Sequence, residues 1–138
     1  MSAGPGRSKA ARVTTGWTYP ALPVSAARMR QDVRAALAAL DADPDAVDDL
    51  LVATSEAINN AVEHAQRPSR PEVRVGLRVV GDTACVSVRD FGTWREGSPS
   101  RDRGRGVALM QAYGRVRTEC TAQGTTVTIE RRLHDRPR

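Results

Sequence analysis

Aromatic side chains are scarce in this chain: one Phe, two Tyr and two Trp make up 4% of its 138 residues. A core must therefore be built from Val, Leu, Ile and Ala, and there are too few rings for a platform that stacks single-stranded nucleic acid. Cysteine is nearly absent too. Cys85 and Cys120 stand in no C-x-x-C spacing and no Cys/His cluster, which excludes a disulfide scaffold and gives no metal-finger spacing with His64 and His134. Both read as buried, reduced thiols of an intracellular protein. No apolar run approaches the length of a membrane span or a signal-peptide core, so the expectation is a cytoplasmic protein with no membrane partner.

Charge is present in excess. The net charge is +5, almost all of the surplus from arginine. A basic balance suits nucleic acid, an acidic partner or a phosphate ligand. The arginines are dispersed and no nucleic-acid motif accompanies them, so direct nucleic-acid binding is not expected. Length and the 40% apolar fraction fit a single domain. Its expected span is 12–134, with a small, basic, disordered tail at 1–11 and a polar tail at 135–138.

Periodicity supplies the elements. Residues 12–19 read as a strand with Trp17 and Tyr19 on one side, closed by Pro20 and Pro23. A helix from about Val24 to Leu40 carries apolar residues at three- and four-residue spacing. Asp43-Pro44 opens a second helix, since Pro fits the first helical position, and the prolines of QRPSRP end it. Residues 72–80 and 83–89 alternate as two strands around the tight turn Gly81-Asp82. The aperiodic, Arg/Gly/Ser/Pro-rich run from Thr93 to Arg103 reads as a long loop. A short helix follows Gly104-Arg105-Gly106, then two strands over 116–121 and 125–132 around Gln123-Gly124. Two hairpins rule out a doubly wound parallel sheet. One apolar face per strand calls for one helical layer, giving an α+β, two-layer sandwich with a mixed, mostly antiparallel sheet and helices on one face.

The chain's chemistry centres on the second helix, LLVATSEAINNAVEHAQ. Glu56 and Asn60 are four residues apart, about 40° around the helix axis, while Leu50, Leu51, Thr54, Ala57, Ile58 and Ala61 fill the opposite arc. A carboxylate and a carboxamide so placed suit proton transfer and hard-metal ligation. An ordinary solvated helix face has the same look. Three weaker signals follow. Asp90-Phe91-Gly92 ends a strand: a carboxylate there can accept from an exocyclic amine, and glycine admits a flat ligand, although a plain turn reads alike. Gly104-Arg105-Gly106 enters a helix with exposed N–H groups, which favours anions, or is a simple helix start. Gly124-Thr125 is a turn, or places a hydroxyl at the sheet edge.

In order, E-x-x-x-N on a helix, D-x-G at a strand end, a G-x-G helix start and G-T in a last hairpin resemble the four boxes of the GHKL ATPase superfamily. The wording is most similar to its anti-sigma-factor serine/threonine kinases, the RsbW-like group: SEAINNAVEHA for the first box, RGRGVALMQAYGRV for the second glycine box, GTTVTIERRL for the last strand. The resemblance covers about residues 13–133. It implies the Bergerat ATP-binding fold, ATP and Mg²⁺ as cofactors, and kinase action on a small anti-anti-sigma protein by a domain that also sequesters a sigma factor. It further implies a homodimer, with an interface through the first strand and helix.

Residue by residue, the resemblance implies Glu56 as general base and Asn60 as Mg²⁺ ligand. Asp90 would accept from the adenine amine, with Thr125 helping through water and Gly92 lying against the base. Gly104 and Gly106 would offer N–H groups to the phosphates, with Arg103 or Arg105 at the γ-phosphate and residues 93–103 as a lid. One position departs: Trp94 stands where the family's first glycine box usually has its second glycine. That predicts weaker nucleotide binding or a different lid closure, and leaves open an alternative, a non-catalytic ATP-binding module that regulates by sequestration alone.

Overall fold

A computed structural model describes residues 11–64, 70–92 and 112–134. The chain runs β1 (Ala11–Pro20), α1 (Ser25–Leu37), α2 (Pro44–His64), β2 (Glu72–Val80), β3 (Thr83–Arg89), β4 (Arg115–Thr121) and β5 (Gly124–Arg132). The strands form one sheet in the order β1-β2-β3-β5-β4, and each of its four pairs is antiparallel. The α+β architecture with helices over one face is as expected, and among the described residues the sheet has no parallel pair.

The strands owe their positions to strict alternation. Val73, Val75, Leu77 and Val79 of β2 are buried, as are Ala84, Val86 and Val88 of β3 and Val127 and Ile129 of β5. Register puts these side by side, Leu77 opposite Val86 and Val86 opposite Ile129, so a branched apolar stripe crosses the sheet. The helices cover it with Met29, Val33 and Leu37 from α1 and Leu50, Leu51, Ala57 and Ile58 from α2, each at most 2% exposed. The Gly81-Asp82 turn joins β2 to β3 with Gly81 at φ 59°, a conformation glycine adopts without a Cβ penalty.

Side-chain bonds tie the layers together. Tyr19 donates from its hydroxyl to Asp32 on α1 at 2.7 Å; burial, then this carboxylate, raises the phenol's pKa. Arg131 of β5 pairs with Asp49 of α2 at 3.0 Å.

Three expectations need correction. The first helix stops at Leu37 rather than Leu40. Leu40 donates back to Leu37 in a tight turn, and Asp43, preceding Pro44, is biased away from helical geometry. The last hairpin turns at Ala122-Gln123, and Gly124 is already the first residue of β5, paired with Thr121. The cysteines are not buried: Cys85 is half-buried on the helix-free face and Cys120 is exposed on the edge strand β4. Partial burial, then Glu130 across the strand pair, raises the Cys85 thiol pKa.

Candidate functional site

Pro44 starts α2, and the amide of Val47 donates to the Asp43 carbonyl at 3.1 Å to close the first turn. From there the helix carries its two candidate residues into different surroundings. Asn60 lies seven residues beyond Ala53, about 20° around the axis, at the border of the apolar arc. It is buried at 3% exposure, and among the described residues its side-chain Nδ2 has no hydrogen-bond partner. A buried amide without a partner costs about 1–3 kcal/mol, which a folded chain rarely tolerates without a reason. Glu56, one turn earlier and further from the apolar arc, is half-buried. It lines an open groove of about 570 Å³ between α1 and α2 with Arg30, Arg34, Val52 and Ser55. Arg30 crosses that groove to Ser55 at 3.2 Å.

At the end of β3, Asp90 keeps the helix-facing parity of Ala84, Val86 and Val88, and α2 packs against both β3 and β5. Asp90 is 3% exposed and Thr125 1%. Their backbones bond, Asp90 N–H to the Thr125 carbonyl at 3.0 Å. The Asp90 carboxylate oxygen Oδ1 then accepts from the amides of Gly92 at 3.1 Å and Thr125 at 3.3 Å. The carboxylate is therefore aimed by two backbone donors.

Gly124 makes this approach possible. A Cβ there would stand 2.2 Å from the Asp90 carbonyl oxygen, and its φ is 152°. Gly124 is therefore not a turn residue but a backbone contact point that lets β5 close on the D-F-G segment.

Asp90, Gly92 and Thr125 are thus brought together, and Asn60 is buried on α2, which packs on β3 and β5. Arg103, Gly104, Arg105 and Gly106, with Trp94 and the rest of the expected lid, lie outside the described residues. Among the described residues no three His, Cys, Asp or Glu side chains converge as a metal cage. A Mg²⁺ ion fits here only in the manner usual for it, with one or two protein ligands and the rest from phosphates and water. The buried Asn60 carboxamide suits that part. Among the described residues no helix is long and apolar enough to cross a membrane.

The architecture is similar to known structures. It superposes on the RsbU and RsbW domains of Rv1364c from Mycobacterium tuberculosis with a TM-score of 0.72 and 28% identity, over 88% of this chain and 32% of that one. The histidine kinase domain of the EL346 blue-light activated histidine kinase from Erythrobacter litoralis matches with a TM-score of 0.52 and 20% identity, over 83% of this chain and 61% of that one. At that identity the second likeness is one of fold. This chain thus spans about a third of the first matched chain and under two thirds of the second. Residues 19–131 match the histidine kinase-like ATPase domain, and the chain belongs to that family.

Proposed function

We propose that this protein is an ATP- and Mg²⁺-dependent serine/threonine kinase that also acts as an anti-sigma factor. The observation that carries this is the buried Asn60 carboxamide, whose oxygen is the atom a hard cation takes, one turn after Glu56 on α2, together with the buried Asp90–Thr125 clamp. Membership of an ATPase family and likeness to a structure containing an RsbW domain support it. In this reading Asp90 accepts from the adenine amine, held in line by the Gly92 and Thr125 amides, and Gly92 leaves room for the base. Asn60 holds the metal, which when bound offsets the negative charge of the phosphates. Glu56, facing the open groove, takes the proton from the hydroxyl of an incoming protein substrate. Gly104, Gly106 and Arg103 or Arg105 bind the phosphates.

The substrate is a small anti-anti-sigma protein, and the sequestered partner a sigma factor. A homodimer, acting in the cytoplasm, is also proposed. β1 is a sheet edge, and Leu22 and Val24 beside it are 52% and 57% exposed, which suits an interface there. The test is transfer of label from γ-labelled ATP to the cognate antagonist. Wild type labels it and Glu56→Gln does not; no label with wild type, or equal label with both, refutes the kinase.

Trp94 at the second glycine position favours one other reading, a nucleotide-binding module that acts by sequestration without phosphotransfer. A nucleotide-induced rise in Tm with no labelled product would select it.

A further inference from the structure

The helix-free face of the sheet holds a cluster that the nucleotide site does not use. Arg74 of β2 and Arg89 of β3 are paired directly opposite each other. Like charges in that relation destabilise a sheet. Phe91, two residues after Arg89, shares their face. The guanidinium carbons of Arg89, Arg74 and Arg70 lie 4.7, 5.0 and 5.4 Å from its ring centroid. The ring is only 7% exposed although it lies on the open side of the sheet, while all three arginines are exposed. Attraction to the ring face offsets part of the repulsion among three cations, but ring contact at exposed sites is weak. Arg74 has one carboxylate, Glu72 at 3.1 Å. Among the described residues Arg70 and Arg89 have none.

We propose that this face, centred on Arg70, Arg74 and Arg89 around Phe91, docks an acidic segment of a protein partner. Three convergent guanidiniums with one internal carboxylate among them are a set of fork-shaped donors awaiting carboxylates. The next row across the sheet is low, with Gly76 between Gly16 and Ser87, so a partner backbone can lie flat beside the cluster. The pattern of charge selects protein over nucleic acid. Beyond the cluster the same face is mixed in sign, with Arg115 opposite Glu130 and Glu119 two residues after Arg117, which suits a partner of mixed charge better than a uniformly anionic backbone. A polypeptide can set its carboxylates on the cluster and avoid or pair the acids. The proposal is independent of the kinase reading, because the cluster and the Asp90 clamp are on opposite sides of the sheet.

A fluorescently labelled oligoglutamate peptide, titrated into the full chain and followed by anisotropy, tests it. Replacing Arg70, Arg74 and Arg89 with Gln is expected to weaken binding about tenfold or more. Arg30→Gln with Arg34→Gln, on the helical side, should leave it unchanged. Equal binding by the triple variant, or an equal loss in the helical-side control, overturns the proposal. So does duplex DNA that binds more tightly than the peptide and is lost in the triple variant. Amide-shift mapping on the wild-type chain keeps the question open to decision should the triple variant not fold. Peptide-induced shifts at Arg74, Arg89 and Phe91 support the site, and shifts confined to α1 and α2 refute it.

Discussion

Replacing Gly124 with Ala tests the contact on which the candidate site is built. The new Cβ would stand 2.2 Å from the Asp90 carbonyl oxygen and 3.2 Å from its carbon, against the 3.0 Å that real Cβ atoms keep. The carbonyl must retreat by 0.8 Å, the difference between 2.2 and 3.0 Å. Asp90 is not free to do so. Its amide bonds the Thr125 carbonyl at 3.0 Å and its carboxylate receives the Thr125 amide at 3.3 Å, so the retreat breaks both. Two buried bonds are worth about 2 kcal/mol together, and a side chain held at a φ that only glycine tolerates costs about 1–3 kcal/mol. The expected loss is about 3–5 kcal/mol, a large part of a stability of about 5–15 kcal/mol. In urea, followed by far-UV circular dichroism, the midpoint should fall by about 2 M at an m-value of about 2 kcal/mol per M. Gln123→Ala, one residue earlier in the exposed turn, should move it by no more than about 0.5 kcal/mol equivalent. A Gly124→Ala protein destabilised by less than about 1 kcal/mol would refute the close approach of β5 to Asp90.

Asn60→Leu should leave stability within about 1 kcal/mol of wild type or raise it, because it removes a buried amide with an unpartnered nitrogen. Under the proposed function it also abolishes the Mg²⁺-dependent part of ATP binding, measurable by calorimetry with and without the metal. Ile129→Ala, at a fully buried position in the middle of the sheet, should cost about 2–5 kcal/mol in the same urea assay. Asp82 bonds His134 through the ring Nδ1, and that bond is the main cause of a carboxyl pKa below the ordinary aspartate value. A depressed folded-state pKa contributes stability that is complete above the unfolded value, about 3.9, and is lost as pH falls through the folded one. NMR titration should find the Asp82 midpoint below that of a model aspartate, and His134→Ala should move it upward.

The elements that were legible in the sequence are those whose local pattern and tertiary role agree. β2 and β3 were readable to the residue because Val73 to Val79 and Ala84 to Val88 alternate without interruption, and a Gly-Asp turn between them has one reading. The end of α1 was not, since Ala38, Ala39 and Leu40 continue a helical pattern. Leu40 still packs on the core after the helix has unwound, so its apolar character reports burial and not helix. Cys120 misled for a related reason: its pairing with Thr125 gives it core parity, but β4 is the last strand of the sheet and the residue is exposed. Sequence alternation records which side a residue takes and says nothing about whether that side is covered. Asn60 shows the converse. It was grouped with Glu56 as one polar face, yet a 40° step places one at the edge of the core and the other on an open groove.

The D-F-G segment was read as one motif, and alternation divides it in two. Successive residues of an extended chain point to opposite sides. Asp90 therefore turns toward α2 and the Thr125 amide, while Phe91 turns to the bare side and gathers arginines from 70, 74 and 89. Nothing local announces that gathering. Arg70 and Arg89 are nineteen positions apart in the chain, and only the antiparallel register of β2 with β3 sets Arg74 against Arg89. The consequence is separable: Phe91→Leu keeps an apolar plug but removes the ring face, so it should loosen the arginines and leave the Asp90 bonds to Gly92 and Thr125 in place. Gly124→Ala should disturb both sides, because its Cβ would stand 2.2 Å from the Asp90 carbonyl oxygen and 3.3 Å from the Phe91 Cα. The Phe91 side chain can thus be changed without touching the Asp90 carboxylate, whereas the backbone that carries both cannot be moved for one alone.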